Sequence, residues 1–338
     1  MDYEQRIERC QNIFSIFIDL PHVTHIQRRI RRFMDVGCPP DATAADSLCL
    51  VGPSRSGKSA LINRLIADYP PEQRDRQSYN PIAYVEVKSN STLKGLAITV
   101  AESLGCLPTV RALSEHIGFA VRMLEQAKPR LLVIDELQHV VRNSDGKRRT
   151  NYEGGDLIKS LLNARVCPIL LVGLESSMAL LDANEQLLGR NGPILEIKPF
   201  NWMVPAERQL YEGFVFGFEE RLGFPRPSNL WSDDLLIRLW AASGGLIGKT
   251  TKLIRFASEA ALLDYDHALP CITKDILADV YDQLSIRRDV KPGARNNPRP
   301  NPFRVESIDL SIYQEEEDDL QFEATSTQLR RVERDLRP

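Results

Sequence analysis

Between residues 47 and 204, short apolar runs alternate with longer segments whose apolar residues recur at helical spacing. Continuously apolar strands separated by helices are typical of a parallel sheet that is covered by helices on both faces. We therefore predict an α/β domain over 47–204. The runs predicted to be strands are SLCLVG, PIAYVEV, RLLVIDE, PILLVG and PILEIKPF.

The segments on either side of this domain carry no comparable strand pattern. Residues 1–46 predict an N-terminal helical segment, in which Pro21 breaks a first helix and Gly37 ends a second. Residues 205–288 contain amphipathic segments and predict a small helical domain. Residues 289–338 are rich in Pro, Asn and Arg and include the block QEEEDD. Because this composition buries little apolar surface, we expect a flexible tail. In the alternative interpretation, the apolar residues of SIDLSIYQ make this segment a docking peptide.

Composition and charge exclude several classes of protein. The chain has 338 residues, of which 43% are hydrophobic and 26% charged, and its formal net charge is −3. A chain of this length and apolar content can bury a sizeable core, which excludes collagen-like and wholly disordered proteins. The balanced charge excludes a uniformly basic DNA-binding protein, but not local basic patches, because net charge averages over the faces of a molecule.

The segment from Gly52 to Ser59 reads GPSRSGKS and lies between a predicted strand and a predicted helix. It matches the phosphate-binding pattern G-x-x-x-x-G-K-S in the context that this pattern requires. Glycines allow positive φ and a close approach of the backbone, and N–H groups at a helix start face phosphates. We expect Lys58 to bridge the β- and γ-phosphates of ATP and Ser59 to bind Mg²⁺. The predicted nucleotide-binding residues are Gly52, Pro53, Ser54, Arg55, Ser56, Gly57, Lys58, Ser59 and Ala60.

Two adjacent acids, Asp135 and Glu136, end the apolar run RLLVIDE. Acids in this position are hard to explain as part of a core. We expect Asp135 to orient Mg²⁺ and its water, and Glu136 to act as the general base that polarises the water attacking the γ-phosphate. Together with the phosphate-binding pattern, they predict an enzyme that hydrolyses ATP.

Three further positions are candidates for sensing the nucleotide. The run PILLVGLESS ends in the polar residues Glu175, Ser176 and Ser177. Either one of these side chains senses the γ-phosphate, or the three residues only begin a loop. Arg190 precedes the last predicted strand and is either an arginine finger, for which Arg has the fixed charge and forked donors, or a surface residue. Lys249 follows two glycines at a helix start, from which it contacts the γ-phosphate or remains exposed.

This combination of motifs resembles the AAA+ ATPases, and within them the TnsC/TniB regulators of DNA transposition. The resemblance extends from about 26 to 285 and includes QRRIRRFMD, LLVIDELQHV, VGLESSMALLDANEQLLGR and GGLIGKTTKLI. The sequence departs from the family's motif pattern at two positions. These departures affect the assignment of the arginine finger more than the assignment of the family. His139 follows the acids one residue late, and Arg190 is followed by Asn191 where family members often carry Phe.

The resemblance implies an AAA+ P-loop NTPase fold with a helical lid. It also implies an ATPase that oligomerises as a ring or helical filament on double-stranded DNA, independently of sequence. The oligomer would link a targeting protein of the TniQ or TnsD type to the transposase. The six cysteines lack the spacing of zinc ligands, and the sequence has no apolar run of ~20 residues and no signal-peptide pattern. We therefore expect a soluble protein in the reducing bacterial cytoplasm.

Three basic segments are candidates for the DNA contacts, which would be salt-sensitive and independent of sequence. The loop RNSDGKRRTN is the first, VKSNSTLKG with Lys88 the second, and the helix THIQRRIRRFMD the third. The four arginines of that helix cannot all share one face, and they contact DNA, a neighbouring subunit or solvent. The predicted DNA-contacting residues are Lys94, Arg142, Lys147, Arg148, Arg149 and Thr150; the helix arginines are Arg28, Arg29, Arg31 and Arg32.

Two other functions share the nucleotide motifs. A nucleotide-dependent signalling or defence switch would not contact DNA, so reversing the charge of the loop 142–151 would leave it functional. An initiator-like ATPase usually carries a winged DNA-binding domain after the lid, and residues 289–338 show no pattern for one.

Overall fold

The computed structural model describes residues 1–39, 41, 45–74, 77–88, 93–104, 113–139, 157–182, 185–265, 267–285 and 300–313. The chain divides into two compact units. One is Pro21–Lys198, here called the α/β unit; the other is Met1–Leu20 together with Pro199–Pro338, here called the helical unit. The division at Leu20 falls inside the segment 1–46, which the sequence analysis treats as one piece.

The α/β unit is built on a five-stranded parallel sheet, which confirms the predicted fold class. Its strand order is β4-β5-β6-β1-β7, so consecutive crossovers place helices on both faces. Three strands are buried at every position, as expected for a sheet that is covered on both faces. The strands are β1 Ser47–Val51, β4 Ile82–Glu86, β5 Leu131–Asp135, β6 Ile169–Gly173 and β7 Leu195–Glu196.

A small antiparallel hairpin lies outside this sheet. It consists of β2 (Glu72–Arg74) and β3 (Gln77–Tyr79). Its sequences, EQR and QSY, are polar and too short to show an alternating pattern. Sequence patterning therefore gave no signal for it.

The helices of the α/β unit cover the two faces of the sheet. Helix α3 connects β1 to β4, whereas α4 and α5 connect β4 to β5 in the opposite direction. Because crossovers are right-handed, α3 lies on one face and α4 and α5 lie on the other. On the second face, α4, α5 and α6 pack on one common hydrophobic core with alternate strand residues. The bounds are α2 Pro21–Val36, α3 Lys58–Asp68, α4 Leu93–Ser103, α5 Leu113–Ala127, α6 157–163, a 3₁₀ turn Glu175–Met178, α7 Ala179–Asp182 and α8 Glu185–Leu188.

Among its described residues, the helical unit contains the four helices that the sequence predicts over 205–288, together with two that it does not place there. Glycines in the left-handed conformation end α9 and α10, namely Gly223 (φ 67°) and Gly244 (φ 63°). This conformation is readily accessible to glycine and is common after a helix C-terminus. The helices are α1 Tyr3–Ser15, α9 Pro205–Leu222, α10 Asp233–Ser243, α11 Ile247–Leu263, α12 Lys274–Ser285 and α13 Leu310–Tyr313.

Helix α1 packs within the helical unit. Arg6 donates to Tyr265 O (3.1 Å), and Arg255 donates back to Ile16 O (3.0 Å). Helix α1 ends at Ser15, and Pro21 begins α2 instead of breaking the first helix. A proline at the first helical position loses no hydrogen bond, because the N–H there has no intrahelical partner.

Residues 300–313 also pack within the helical unit, which differs from the expectation of a flexible tail for this part of 289–338. The Arg238 side chain is only 3% exposed and donates hydrogen bonds to the carbonyl oxygens of this segment. Phe303 and Tyr313 are buried. The segment is held because two aromatic side chains and one buried guanidinium compensate for its loop-like composition. Residues 286–299 and 314–338 lie outside the described residues.

No helix among the described residues is both long enough and apolar enough to cross a membrane.

Candidate nucleotide-binding site

The predicted phosphate-binding loop and the predicted acids meet at one edge of the sheet. The loop follows β1, and Asp135 is the last residue of β5. These strands are separated only by β6, and parallel strands bring their carboxyl ends to the same edge. Ser59 and Asp135, which are 76 positions apart, form a hydrogen bond there.

The backbone of the loop requires glycine at two places. Gly57 precedes α3 with φ 103°, a conformation that side chains rarely adopt. Gly52 is restricted by space, because a Cβ atom there would lie 2.5 Å from Ile197 O. Arg55 also has positive φ (64°), which is costly for a non-glycine residue. The pattern thus fixes a strained loop that leads into the helix.

Lys58 is buried and turned back onto the loop. Its Nζ donates to Gly52 O (2.8 Å) and Pro53 O (2.9 Å), and only 8% of the residue is exposed. Burial lowers the pKa of Lys58, and the charges of Asp135 and Glu136 partly offset that shift. A phosphate beside the ammonium would favour its charged form in the same way.

The start of α3 offers further donors to an anion. Its first turn is closed by Leu61 N, which donates to Gly57 O (3.0 Å). The N–H groups that precede it have no intrahelical acceptor and carry the positive end of the helix dipole. The Ser56 hydroxyl is buried and has no hydrogen-bond partner in the described part of the chain. These groups fit a phosphate chain.

Asp135 accepts hydrogen bonds at both carboxylate oxygens. Oδ2 accepts from Ser59 Oγ (3.3 Å) and from the Tyr84 hydroxyl (3.0 Å), and Oδ1 accepts from Glu136 N (2.7 Å). Burial, and then the charge of Asp135, raises the pKa of Tyr84, so its hydroxyl remains a donor. Mg²⁺ is usually bound through carboxylate and hydroxyl oxygens with water, and Ser59 and Asp135 provide such a pair.

Glu136 is held in an uncommon conformation next to Asp135. Its φ is 58°, and its Oε2 accepts a hydrogen bond from Gln138 Nε2. His139 Nε2 lies 3.6 Å from the same oxygen. Gln138 Oε1 in turn accepts from Leu174 N (3.2 Å), just after β6. Gln138 thereby joins the carboxylate to the loop of the sensor candidates.

The sensor and finger candidates differ in their surroundings. Glu175 and Ser176 are exposed, whereas Ser177 is buried with no hydrogen-bond partner for its hydroxyl among the described residues. A Cβ at Gly173 would lie 2.5 Å from Ser177 Oγ, so this hydroxyl packs on the end of β6. Arg190 is half-buried and donates to Asn163 Oδ1 (2.7 Å).

The remaining predicted residues lie on other elements or outside the described residues. Lys249 lies in the first turn of α11 in the helical unit, and Lys94 is exposed near the start of α4. The loop residues Arg142, Lys147, Arg148, Arg149 and Thr150 lie outside the described residues. Sequence reasoning missed Tyr84 and Gln138. Tyr84 lies within a strand, and no sequence motif marks it as a site residue. Gln138 follows Asp135 and Glu136 by only two to three positions, so its proximity to the acids could have indicated it.

Comparison with known proteins places this site in a family. The model of the family described as bacterial TniB protein matches residues 11–197, which is more than half of the chain. The chain belongs to the TniB family. The match contains the phosphate-binding loop, both acids and the sheet that positions them.

Solved structures of an Orc1 and a Cdc6 protein share the fold of this TniB-family chain. The Orc1 protein of Aeropyrum pernix in complex with DNA is 15% identical, with a TM-score of 0.53 over 79% of this chain and 66% of that chain. Cdc6p of Pyrobaculum aerophilum is 13% identical, with a TM-score of 0.56 over 80% and 70%. At such identities the likeness shows the AAA+ P-loop fold alone. No curated protein matches the chain.

Proposed function

We propose that this TniB-family chain binds and hydrolyses ATP with Mg²⁺, and that its ATP-bound form assembles on double-stranded DNA in transposition. The observation that carries the proposal is the meeting of Lys58, Ser59, Asp135 and Glu136 at one edge of the sheet. Membership of the family supports the role in transposition. That the Aeropyrum pernix Orc1 protein was solved with DNA supports a nucleic-acid ligand.

The loop and the start of α3 would hold the phosphates of ATP. The free N–H groups of the first turn and the Ser56 hydroxyl would donate to phosphate oxygens. Lys58 would exchange the carbonyl oxygens of Gly52 and Pro53 for the β- and γ-phosphates. The exchange replaces neutral acceptors with charged ones, and charge-assisted hydrogen bonds are stronger.

Ser59 and Asp135 would hold Mg²⁺, which when bound neutralises charge on the phosphate oxygens. Tyr84 orients the Asp135 carboxylate through the hydrogen bond to Oδ2. Because Asp135 is only 1% exposed, that carboxylate has little freedom to turn away. Tyr84 is therefore a positioning residue for the metal site.

Glu136 would act as the general base of hydrolysis. Its carboxylate takes a proton from the attacking water, whose oxygen forms a bond to the γ-phosphorus. The bond from that phosphorus to the bridging oxygen breaks, and ADP leaves. Gln138 and His139 lie against Oε2 of Glu136 and orient it.

Assembly would give the remaining candidates their roles. Arg190 would contact the nucleotide of a neighbouring copy as an arginine finger, and Lys249 would contact the γ-phosphate from the lid. Lys94 and the loop 142–151 would contact DNA phosphates. The assembled ring or filament would bind the transposase and a TniQ- or TnsD-type targeting protein.

The proposal is tested by DNA binding in different nucleotide states. Fluorescence anisotropy of a labelled duplex is measured with ATPγS, with ADP and without nucleotide. We expect tight binding only with ATPγS, and Lys58→Ala should abolish that difference. Lys128→Ala is the matched control, because this exposed lysine follows α5 and precedes β5, at the edge of the sheet opposite the loop. Equal DNA affinity of the wild type in all three states would refute the proposal. No DNA binding in any state would also refute it, and would favour the signalling switch.

A further inference from the structure

Helix α2 has one face buried in the α/β unit and one face exposed. The exposed side chains include Arg28, Arg29 and Arg32, here called the arginine row. Residues that are three and four positions apart lie next to one another on a helix, so these arginines share one face. His25 is exposed on the same face, one turn earlier. The buried residues of α2 are Val23, Ile26, Gln27, Ile30 and Met34.

The acids around α2 pair with other arginines. Arg31, at the side of the row, pairs with Asp68, and Arg130 pairs with Asp35 at 2.6 Å. Within the described part of the chain, no arginine of the row has a hydrogen bond or an ion pair. The row therefore presents uncompensated positive charge on a chain whose net charge is −3.

The backbone that carries the row is held in place. Helix α2 packs on α3, and the pair Arg31–Asp68 joins α2 to the last residue of α3. Because α3 begins at Lys58, the arginine row is attached to the helix that starts at the phosphate-binding loop. A fixed helix reduces the entropy lost when its side chains bind a ligand.

We propose that the arginine row binds the phosphate backbone of double-stranded DNA. This inference rests on the proposed function and adds a contact site to it. Guanidinium groups match phosphates bidentately, and such contacts carry no sequence information. Arginine also occurs at protein–protein interfaces, but there it accompanies aromatic and other apolar side chains in the buried centre. The row is charged throughout, and the exposed apolar residue on its line, Val36, stands at the end of the helix.

The row and Lys94 are independent contacts. Helix α2 packs on α3, whereas Lys94 lies near the start of α4, on the opposite face of the sheet. Mutations at distant sites without shared partners add in free energy. The loss of affinity from the row should therefore be the same in wild-type and Lys94→Ala backgrounds.

The experiment measures how DNA affinity depends on salt, with ATPγS bound. Each phosphate contact that is lost reduces the slope of log K against log salt by about 0.9, so Arg28→Ala/Arg29→Ala/Arg32→Ala should reduce it by about 2.7. If the affinities converge at 1 M salt, this slope means a loss of about 500-fold at 0.1 M. Arg31→Ala is the matched control. It removes the same charge from the same helix at a paired position, and we expect little change in the slope.

Each outcome separates the inference from the proposed function. A wild type that binds no DNA in any nucleotide state refutes the proposed function. A wild type that binds, with a triple variant of unchanged slope and affinity, refutes the arginine row alone. A triple variant that loses self-association without DNA, by light scattering, makes the row a subunit contact and also overturns the inference. If the alanine variant fails to fold by circular dichroism, the triple Arg→Glu variant replaces it with the same expected loss, and retained affinity there refutes the row.

Discussion

Each compact unit buries a cationic side chain, and the two side chains have different kinds of partner. In the α/β unit, Lys58 donates to carbonyl oxygens five and six positions away in its own loop. In the helical unit, Arg238 pairs with Asp234 and donates to carbonyls of the segment 300–313, more than 60 positions away.

This difference distinguishes Lys58, which we propose to bind phosphate, from Arg238, which connects two parts of the helical unit. The partners of Lys58 are carbonyl groups of its own loop, so a ligand can replace them without detaching a distant segment. The partners of Arg238 hold a distant segment on the helical unit, so replacing them detaches that segment. A buried charge with local, exchangeable partners therefore indicates a ligand site, and one with distant partners indicates a structural connection.

The strongest test of the α/β unit is Glu136→Gln, which removes the proposed base and keeps the shape of the side chain. We expect ATP hydrolysis to slow by about 10²- to 10⁴-fold, the usual contribution of a general base. ATP binding and ATP-dependent DNA binding should persist, because Lys58 and Ser59 are unchanged. Turnover by phosphate release and affinity by anisotropy measure the two effects. Equal loss of both would contradict the separate role of Glu136.

The corresponding test of the helical unit is Arg238→Ala. It leaves three carbonyl oxygens of the segment 300–313 without their donor, and a buried acceptor left without a hydrogen bond costs about 1–3 kcal/mol. We expect a lower thermal midpoint and faster proteolysis between 300 and 313, with unchanged affinity for a fluorescent ATP analogue. Arg221→Ala is the matched control, because that exposed arginine donates only within its own helix, to Gly217 O at 2.8 Å. If Arg238→Ala left stability unchanged, the structural role would be wrong.

The smallest effect should come from Tyr84→Phe. It deletes one hydrogen bond to Asp135 Oδ2 and keeps the ring. A hydrogen bond to a charged group contributes about 1.5–3 kcal/mol, so we expect the Mg²⁺ concentration for half-maximal turnover to rise about 10- to 150-fold. Affinity for ATP without metal should not change. An unchanged magnesium requirement would mean that Ser59 and Glu136 N orient Asp135 without Tyr84.

The sequence predicted those parts of the molecule that depend on neighbouring residues. The phosphate-binding loop is one contiguous pattern whose glycines are required by the backbone, and the strands are continuous apolar runs. What it did not predict depends on residues far apart. Tyr84 meets Asp135 across 51 positions, and Arg238 meets Pro302 across 64. No local spacing encodes such contacts, because they follow from how complete elements pack.

The misread position of Pro21 has a similar cause. A proline is compatible with the end of one helix and with the first residue of the next. The choice between them depends on the burial of Val23 and Ile26 in α2, which involves residues of the α/β unit far along the chain. Local propensity is compatible with both positions of Pro21, and tertiary packing selects the one at the start of α2.

The proposed assembly on DNA depends on bound ATP. Negative-stain electron microscopy of the purified protein with a short duplex, with ATPγS or with ADP, would show this assembly. We expect rings or filaments on DNA with ATPγS and none with ADP. A monomer that is indifferent to DNA in both states would contradict it and leave only the nucleotide-binding site.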